Sequence, residues 1–558
     1  MSARDRRLVT RLRHRERLAE LLIGALLALT FFNAWMHWEV LAPGNVGWLL
    51  DGNDRGITLI GLAAYLSGQP VWPSLHNSLL MAPEGIPVAF TDSNPLAALL
   101  LQPFATWLPV DVQFIGIWLL LCAVLQLLFA WLLLRPYAPG PVSAMAGACL
   151  LAFMPALINR PGHVNLCAHW LILWVLWTYL DAKRSRQPQH WIAILGLSVL
   201  IHPYLLVLTA AFWGSAVLRA MATEKDRASV AARAAIVAGT ITAIVVWAGL
   251  LTPAIPTLGY GVFGMPLDAL WNVGKEGYSA LLPPPPPAPG VNDFEGLNYL
   301  GAGLLALLVA MPALLIIERR SGQDGIESLR PLLWLIPAFV VLTTVAIGPM
   351  VVWRGQIVDV IDIPERLRAA LDPVRAAGRL FWPVGYTIAF AAIVVTCRSR
   401  AAPFLLAGAL ALQAIDLKPM LESVREQSAN ALDRRTYHRT LDPRWKTLID
   451  RATDIQFEPA AIYMDLGLQE EIAWRAITAC RPVPLRFFTV SREMEPIRRR
   501  LEADAAQLRA GHPAPDRLYI FLQGKVPPPL TARAMIIDGV AVIPPLKPRP
   551  PPDCARPN

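Results

Sequence analysis

Three kinds of side chain in this sequence could do chemistry, and all of them gather near the ends of apolar runs. Acids come first. Asp51 and Asp54 in DGNDRG and Asp92 in FTDSNPL belong to the stretch Asp51–Leu100, which follows the first apolar run and carries almost no positive charge apart from Arg55. A carboxylate held against a hydroxyl can act as general base. The plainer readings are a solvated turn for DGND, a helix cap for Asp92 and a turn residue for Glu84 in APEG. Histidines are next: His163 and His169 share RPGHVNLCAHW with Arg160 and Asn165, and His202 sits in IHPYL. The spacing of His163 and His169 does not put both on one helical face, so they make no two-histidine metal site. Last are the arginines. Arg375 and Arg379 in VRAAGRLFWP are four apart, which places them on one face of a helix, and their planar forks match phosphate geometry. Snorkelling to lipid headgroups would use the same geometry.

Those residues need a scaffold, and composition says what it is. Of 558 residues, 55% are hydrophobic and only 16% charged, with a mean hydropathy of +0.44, far from the balance of soluble domains. The apolar residues come in runs broken by arginine clusters, as expected of helices that each cross a hydrocarbon layer of ~30 Å. Nineteen Trp suit many interfacial ends. Much of the net charge of +9 lies in short segments between runs, where it sets orientation, and this removes nucleic acid from the candidate partners. None of the six Cys forms a ligand-spaced pair, so zinc and thiol redox motifs are absent. Cys122, Cys149, Cys167 and Cys397 lie in or at the end of apolar runs as packing residues. Cys480 and Cys554 can pair only if both face an oxidising compartment.

Hydropathy with arginine and lysine bookkeeping predicts eleven spans: 18–38, 113–134, 142–158, 166–180, 191–201, 204–218, 234–251, 297–317, 332–352, 380–396 and 403–415. Every second connection is basic, so the N-terminus (1–17) is expected in the cytoplasm and the region after span eleven outside. The first run continues to Trp38 with no A-x-A site, which reads as an uncleaved span and not a signal peptide. Under this topology His37, His76, His163 and His202 all lie at the outer face. Ionisable groups at membrane depth are functional candidates. One outer loop, 353–379, breaks the charge rule with Arg354, Arg366, Arg368, Arg375 and Arg379, which argues for an anion there.

Three outer loops therefore interrupt a transmembrane domain of 18–415: 39–112, 252–296 with its stiff PPPPPAP (Pro283–Pro289), and 353–379. From 416 to 545 the chain turns polar. Runs such as LRFFTV, RLYIFL and AMIIDGVAVI read as strands and LQEEIAWRAITAC as a helix, which predicts a small α/β domain outside the membrane. Residues 546–558 read as a disordered tail. The fold class expected is a polytopic α-helical membrane protein with that domain appended.

The combination of an N-in first span, a long outer loop with an early Asp, a second acidic motif before a Pro-Leu helix start and a basic outer loop late in the chain resembles the GT-C superfamily of polyprenyl-phosphate-sugar-dependent glycosyltransferases. PEGIPVAFTDSNPL, GHVNLCAHW, IHPYL, EGLNYLG and RAAGRLFWPV look like a bacterial family of GT-C-like membrane proteins of unassigned function. The resemblance covers most of the membrane part and little of the C-terminal region. It implies a transferase at the outer face of a bacterial inner membrane, with a polyprenyl-phosphate sugar donor delivered within the lipid bilayer and a glycan, lipid or protein acceptor. It implies Asp54 or Asp51 as general base, with Asp92 and the outer histidines, His163, His169 and His202, positioning acceptor or a divalent cation. Glu295 of EGLNYLG would bind substrate, and Arg375 and Arg379 would neutralise the leaving lipid phosphate. No spacing supplies a metal ligand set. A transporter or flippase for lipid-linked glycan, or a non-catalytic assembly protein of the same shape, are the competing readings.

Overall fold

The computed structural model describes residues 3–72, 74–257, 259–286, 294–320 and 325–550. Asp293, the end of the proline run, the last eight residues of the expected tail and Cys554 lie outside the described residues. The chain is mostly helical, with a small sheet domain at its C-terminal end. Six described helices are long and apolar enough to cross a membrane: Glu16–Trp35, Ile115–Leu134, Pro203–Thr223, Arg227–Trp247, Leu329–Ile347 and Ala377–Cys397. Counting the bent pair Ala402–Asp416 and Lys418–Glu426 as one span makes seven. The expected eleven are not reached. Helices such as Pro141–Ala152, Pro188–Ile201 and Ala302–Ile317 are apolar but only 10–17 residues long, and at ~1.5 Å per residue they fall short of a ~30 Å layer. These are the helices of a multi-pass membrane protein.

The spans are not equivalent. The Ala377–Cys397 segment is 89% buried inside the protein, against 17% for Arg227–Trp247. The former is the central helix, and its N-terminal end delivers Arg379 to the interior. The latter shows most of its surface outward, as a lipid-facing helix should.

The loop 39–112 is folded. It holds the helix Asp54–Ser67, a short bridge pair of His76–Asn77 with Ile86–Pro87, and the helix Pro95–Leu101. An acid in its first turn complements the dipole of the Asp54–Ser67 helix, and Arg55 through Tyr65 are all buried. A helix buried on every face needs neighbours all round. One is the Leu466–Ile477 helix of the C-terminal domain, which packs so closely that a Cβ on Gly56 would lie 2.2 Å from the carboxyl carbon of Glu470. Another is the turn Thr91–Asn94, whose hydroxyls at Thr91 and Ser93 occupy the space beside Gly61.

The C-terminal domain is a four-stranded mixed sheet. Strand Ile455–Glu458 runs parallel to Leu518–Phe521, which pairs antiparallel with Val540–Ile543 and through it reaches Met535–Ile537. RLYIFL and AMIIDGVAVI are strands as expected. LRFFTV is not: only Leu485 makes bridges, one to Ile455 and one to Leu80 of the first outer loop. Its backbone is spent on joining the two parts of the protein, with Leu485 N–H donating to Leu79 O at 2.8 Å and Leu485 O accepting from Ala82 N–H at 3.0 Å. Further ties are Ser491 N–H to Phe90 O at 2.9 Å and the Arg500–Glu84 ion pair at 2.8 Å, so Glu84 is more than a turn residue. Cys480 is disulfide-bonded.

Candidate functional site

The N-terminal end of the Asp54–Ser67 helix, the Thr91–Asn94 turn, the 159–169 segment and the loop before Ala302 meet at one place. Asp54 Oδ2 lies 3.1 Å from His163 Nδ1, and His163 Nε2 lies 3.2 Å from Glu295 Oε1. Each ring nitrogen of His163 thus faces a carboxylate oxygen, one from each acid. Glu295 is in turn gripped from behind. Arg160 Nη1 donates to its Oε2 at 2.6 Å, Arg379 Nε donates to the same oxygen at 2.7 Å, and Arg379 Nη2 reaches Oε1. Burial on its own would raise the Glu295 pKa, but Arg379 and Arg160 hold it well below the usual carboxylate range. Arg160 is fully buried, with its guanidinium over the rings of Phe294 (4.9 Å) and Trp382 (5.2 Å).

Asp92 faces the same spot by a different device. Its backbone is left-handed (φ 50°), a conformation Asp tolerates better than most residues, and its carbonyl is pinned by Thr58 Oγ1 at 3.1 Å and Asn165 Nδ2 at 2.6 Å. The helix cap expected of Asp92 belongs instead to Asn94, whose Oδ1 accepts from Ala97 N–H at 3.1 Å, with Pro95 in the first turn. This frees the Asp92 carboxylate, which accepts no hydrogen bond from another described residue. Burial, and then the charge of Asp54, push its pKa up to about 6 against the opposing pull of His163, Arg379 and Arg375. Asp54, Asp92, His163, Asn165 and His202 line a cavity of about 10 Å³, room for roughly one water. His202 is kept neutral there, its pKa driven down to about 3 by burial and by Arg379, and its Nδ1 accepts from Tyr204 N–H at 3.2 Å.

Not every expected residue is in this group. Asp51 turns away, pairing with buried Arg55 at 2.5 Å beside Glu470. His169 is fully buried a step deeper, its Nδ1 3.0 Å from the Tyr386 hydroxyl and its ring against Trp382 at 4.2 Å. Arg375 and Arg379 do not share a helical face. The chain breaks between two short 3₁₀ segments, with Ala376 at ψ 63°, so Arg379 points to Glu295 while Arg375 bonds Thr257 Oγ1 at 3.0 Å and pairs with no described carboxylate. One member had no sequence signal: Tyr463, from the C-terminal domain, donates its hydroxyl to Asp54 Oδ1 at 3.0 Å. Its backbone is also left-handed (φ 59°), rare for a bulky residue and a strain of about 1–3 kcal/mol.

One Asp54 oxygen is engaged by His163 and the other by Tyr463, and among the described residues no group of three His, Cys, Asp or Glu side chains is placed to hold a metal ion.

Residues 25–418 match the family model described as Domain of unknown function (DUF6311), and residues 444–545 match the model of the DUF6311 C-terminal domain. The chain belongs to that family. The boundary between the two matched regions falls at the start of the sheet domain, and every residue of the Asp54 cluster except Tyr463 lies in the first. No curated protein matches the chain. It is similar to a solved structure of the Archaeoglobus fulgidus oligosaccharyltransferase tethered with an acceptor peptide containing the NVT sequon, at 13% identity and a TM-score of 0.38, over 84% of this chain and 64% of that one. The chain thus spans less than two thirds of that enzyme, and a likeness of this degree assigns no activity.

Proposed function

We propose that this protein is a GT-C-type glycosyltransferase of a bacterial inner membrane, moving a sugar from a polyprenyl-phosphate donor to an acceptor hydroxyl at the outer face. The observation that carries the reading is the pairing of a free, half-buried Asp92 carboxylate with the Asp54–His163–Glu295 chain around one small cavity. A carboxyl whose pKa stands near 6 is ionised at neutral pH yet basic enough to take a proton, which suits a general base. The base role that the sequence motifs suggest for Asp54 is therefore assigned to Asp92, because both Asp54 oxygens are engaged. In the step proposed, the acceptor oxygen bonds to the anomeric carbon, its proton passes to Asp92, and the bond from that carbon to the lipid phosphate oxygen breaks with inversion. The departing phosphate carries the electron pair toward Arg375, which lacks a carboxylate partner among the described residues, while Arg379 and Arg160 hold Glu295.

Three further features support this reading. The motifs that resemble the GT-C superfamily are the ones that converge here. The disulfide at Cys480 suits a domain in an oxidising compartment. The cavity admits about one water, so a sugar enters only if its surroundings withdraw, and Tyr463, an exposed side chain bonded to the lining residue Asp54, is one neighbour that can move without breaking a helix. Purified protein in vesicles supplied with radiolabelled polyprenyl-phosphate sugars provides the test. Label transfer and lipid phosphate release should both depend on Asp92. Transfer that persists in Asp92→Asn and Asp54→Asn alike would sink the proposal.

A further inference from the structure

The C-terminal domain carries a groove far larger than the Asp54 cavity. Its volume is about 420 Å³, within the range of pockets that take small organic ligands. It opens where the parallel strand Ile455–Glu458 ends, the edge of an α/β sheet at which ligands characteristically bind. The helix Glu495–Arg509 forms one wall, and the first outer loop closes the other with Met81 and Ile86, which with Phe487 make an apolar floor. Around that floor stand three carboxylates, Glu458, Glu493 and Glu502, and three guanidiniums, Arg492, Arg498 and Arg509.

The lining holds the two signs in equal number, so it offers donors and acceptors together and no cluster of one sign. Planar donors and acceptors of both signs above an apolar floor suit a neutral polyhydroxylated ring, with its C–H face packed below and its hydroxyls bridging carboxylate and guanidinium. Arg492 is already committed to Asp372 at 2.9 Å and Arg498 to Glu495 at 2.5 Å. Glu458 is half-buried, with Gln456 Nε2 donating to its Oε1 at 2.5 Å and no guanidinium among the described residues paired with it. Its chain leads onward to the Asp54 cluster: Tyr463, which bonds Asp54, is five positions after Glu458, at most ~18 Å of extended chain.

We infer that this groove is a saccharide-binding site, which on the function proposed above holds the acceptor glycan with its reactive end toward Tyr463 and Asp54. The probe is a set of neutral trisaccharides of glucose, mannose, galactose and N-acetylglucosamine. Binding is measured by saturation-transfer NMR and calorimetry on the full chain in nanodiscs, with glycerol phosphate and a short amphipathic peptide as competitors. At least one trisaccharide should bind. Ala460→Trp, which fills the groove, should weaken it by about tenfold or more, and Glu458→Gln should weaken it by about threefold to tenfold with an unchanged melting curve. Asp92→Asn should leave binding intact. No trisaccharide binding, binding that ignores both groove substitutions, or displacement only by glycerol phosphate or peptide would overturn the inference. Groove-dependent binding without any transfer would fault the transferase reading alone, and transfer with unaltered efficiency in Ala460→Trp would fault the groove alone.

Discussion

The hydroxyl of Tyr463 donates to Asp54 Oδ1 at 3.0 Å, joining residues 409 positions apart and placing a side chain of the C-terminal domain over the carboxylate cluster of the membrane domain. The contact makes the small domain part of the site. Removing the hydroxyl in Tyr463→Phe should cost about 1 kcal/mol of stability or less, since the bond is exposed. It should also raise hydrogen exchange across residues 54–58, read by mass spectrometry. Unchanged exchange there would mean that the Tyr463 hydroxyl does not hold the start of that helix.

Asp92 predicts a pH dependence. Activity should rise as pH climbs through about 6 and the carboxyl ionises, and Asp92→Asn should abolish it by 10²-fold or more, on the order of general-base losses. Stability should move the other way. The folded pKa stands above the ordinary Asp value, so the folded state binds the proton more tightly and stability declines as pH rises between about 4 and about 6. At about pH 8, Asp92→Asn should therefore be more stable than the native protein by on the order of 2 kcal/mol. A variant that melts lower at that pH would contradict the burial argument.

Glu295 neutralises two buried guanidiniums, Arg160 and Arg379. Glu295→Ala leaves both uncompensated and should cost about 3–5 kcal/mol, with loss of folded protein in detergent. Gly378→Ala tests the same knot through the backbone: a Cβ there would lie 2.7 Å from Glu295 O and 2.6 Å from Gly296 Cα, with no flexible atom to yield. It should lower the melting temperature although no charged group changes. A tolerated Gly378→Ala would show that the loop before Ala302 can shift without loss.

Glu470 offers a second titration, at the seam between domains. It is fully buried against the Asp54–Ser67 helix, where burial and then the charge of Asp51 push its pKa up to about 9 despite the Gly52 N–H at 2.7 Å. The folded state therefore keeps a proton that the unfolded chain loses near pH ~4.5, and stability falls with pH from there up to about 9. Glu470→Gln should match the native protein at about pH 5 and melt higher at about pH 8. An equal difference at both values would rule out the protonated carboxyl as the cause.

Much of the candidate site could be read from residue types. FTDSNPL, GHVNLCAHW, EGLNYLG and RAAGRLFWPV all send a side chain or backbone group to the cluster, and DGNDRG adds Asp54. A polar motif at the end of an apolar run is conspicuous because burial in lipid or protein is costly without a partner. The span count was less legible, since hydropathy sees apolar runs and cannot tell a crossing helix from a shorter one buried in the protein. The α/β character of the end of the chain was also readable, from alternating apolar runs around polar turns.

What the order of residues could not supply is direction. Asp51 and Asp54 lie three positions apart in one turn sequence, yet one pairs with Arg55 and the other with His163, because the helix that starts at Asp54 rotates them to different faces. Arg375 and Arg379 have helical spacing but part at the backbone break of Ala376. Tyr463 and Glu470 reach the first outer loop only because Leu485 carries the C-terminal domain onto it. Composition and periodicity thus determined a membrane protein with acids, histidines and arginines at one end of its helices. Tertiary structure alone decided which of them meet, since long-range contacts depend on packing between segments that are hundreds of residues apart and leave no local pattern.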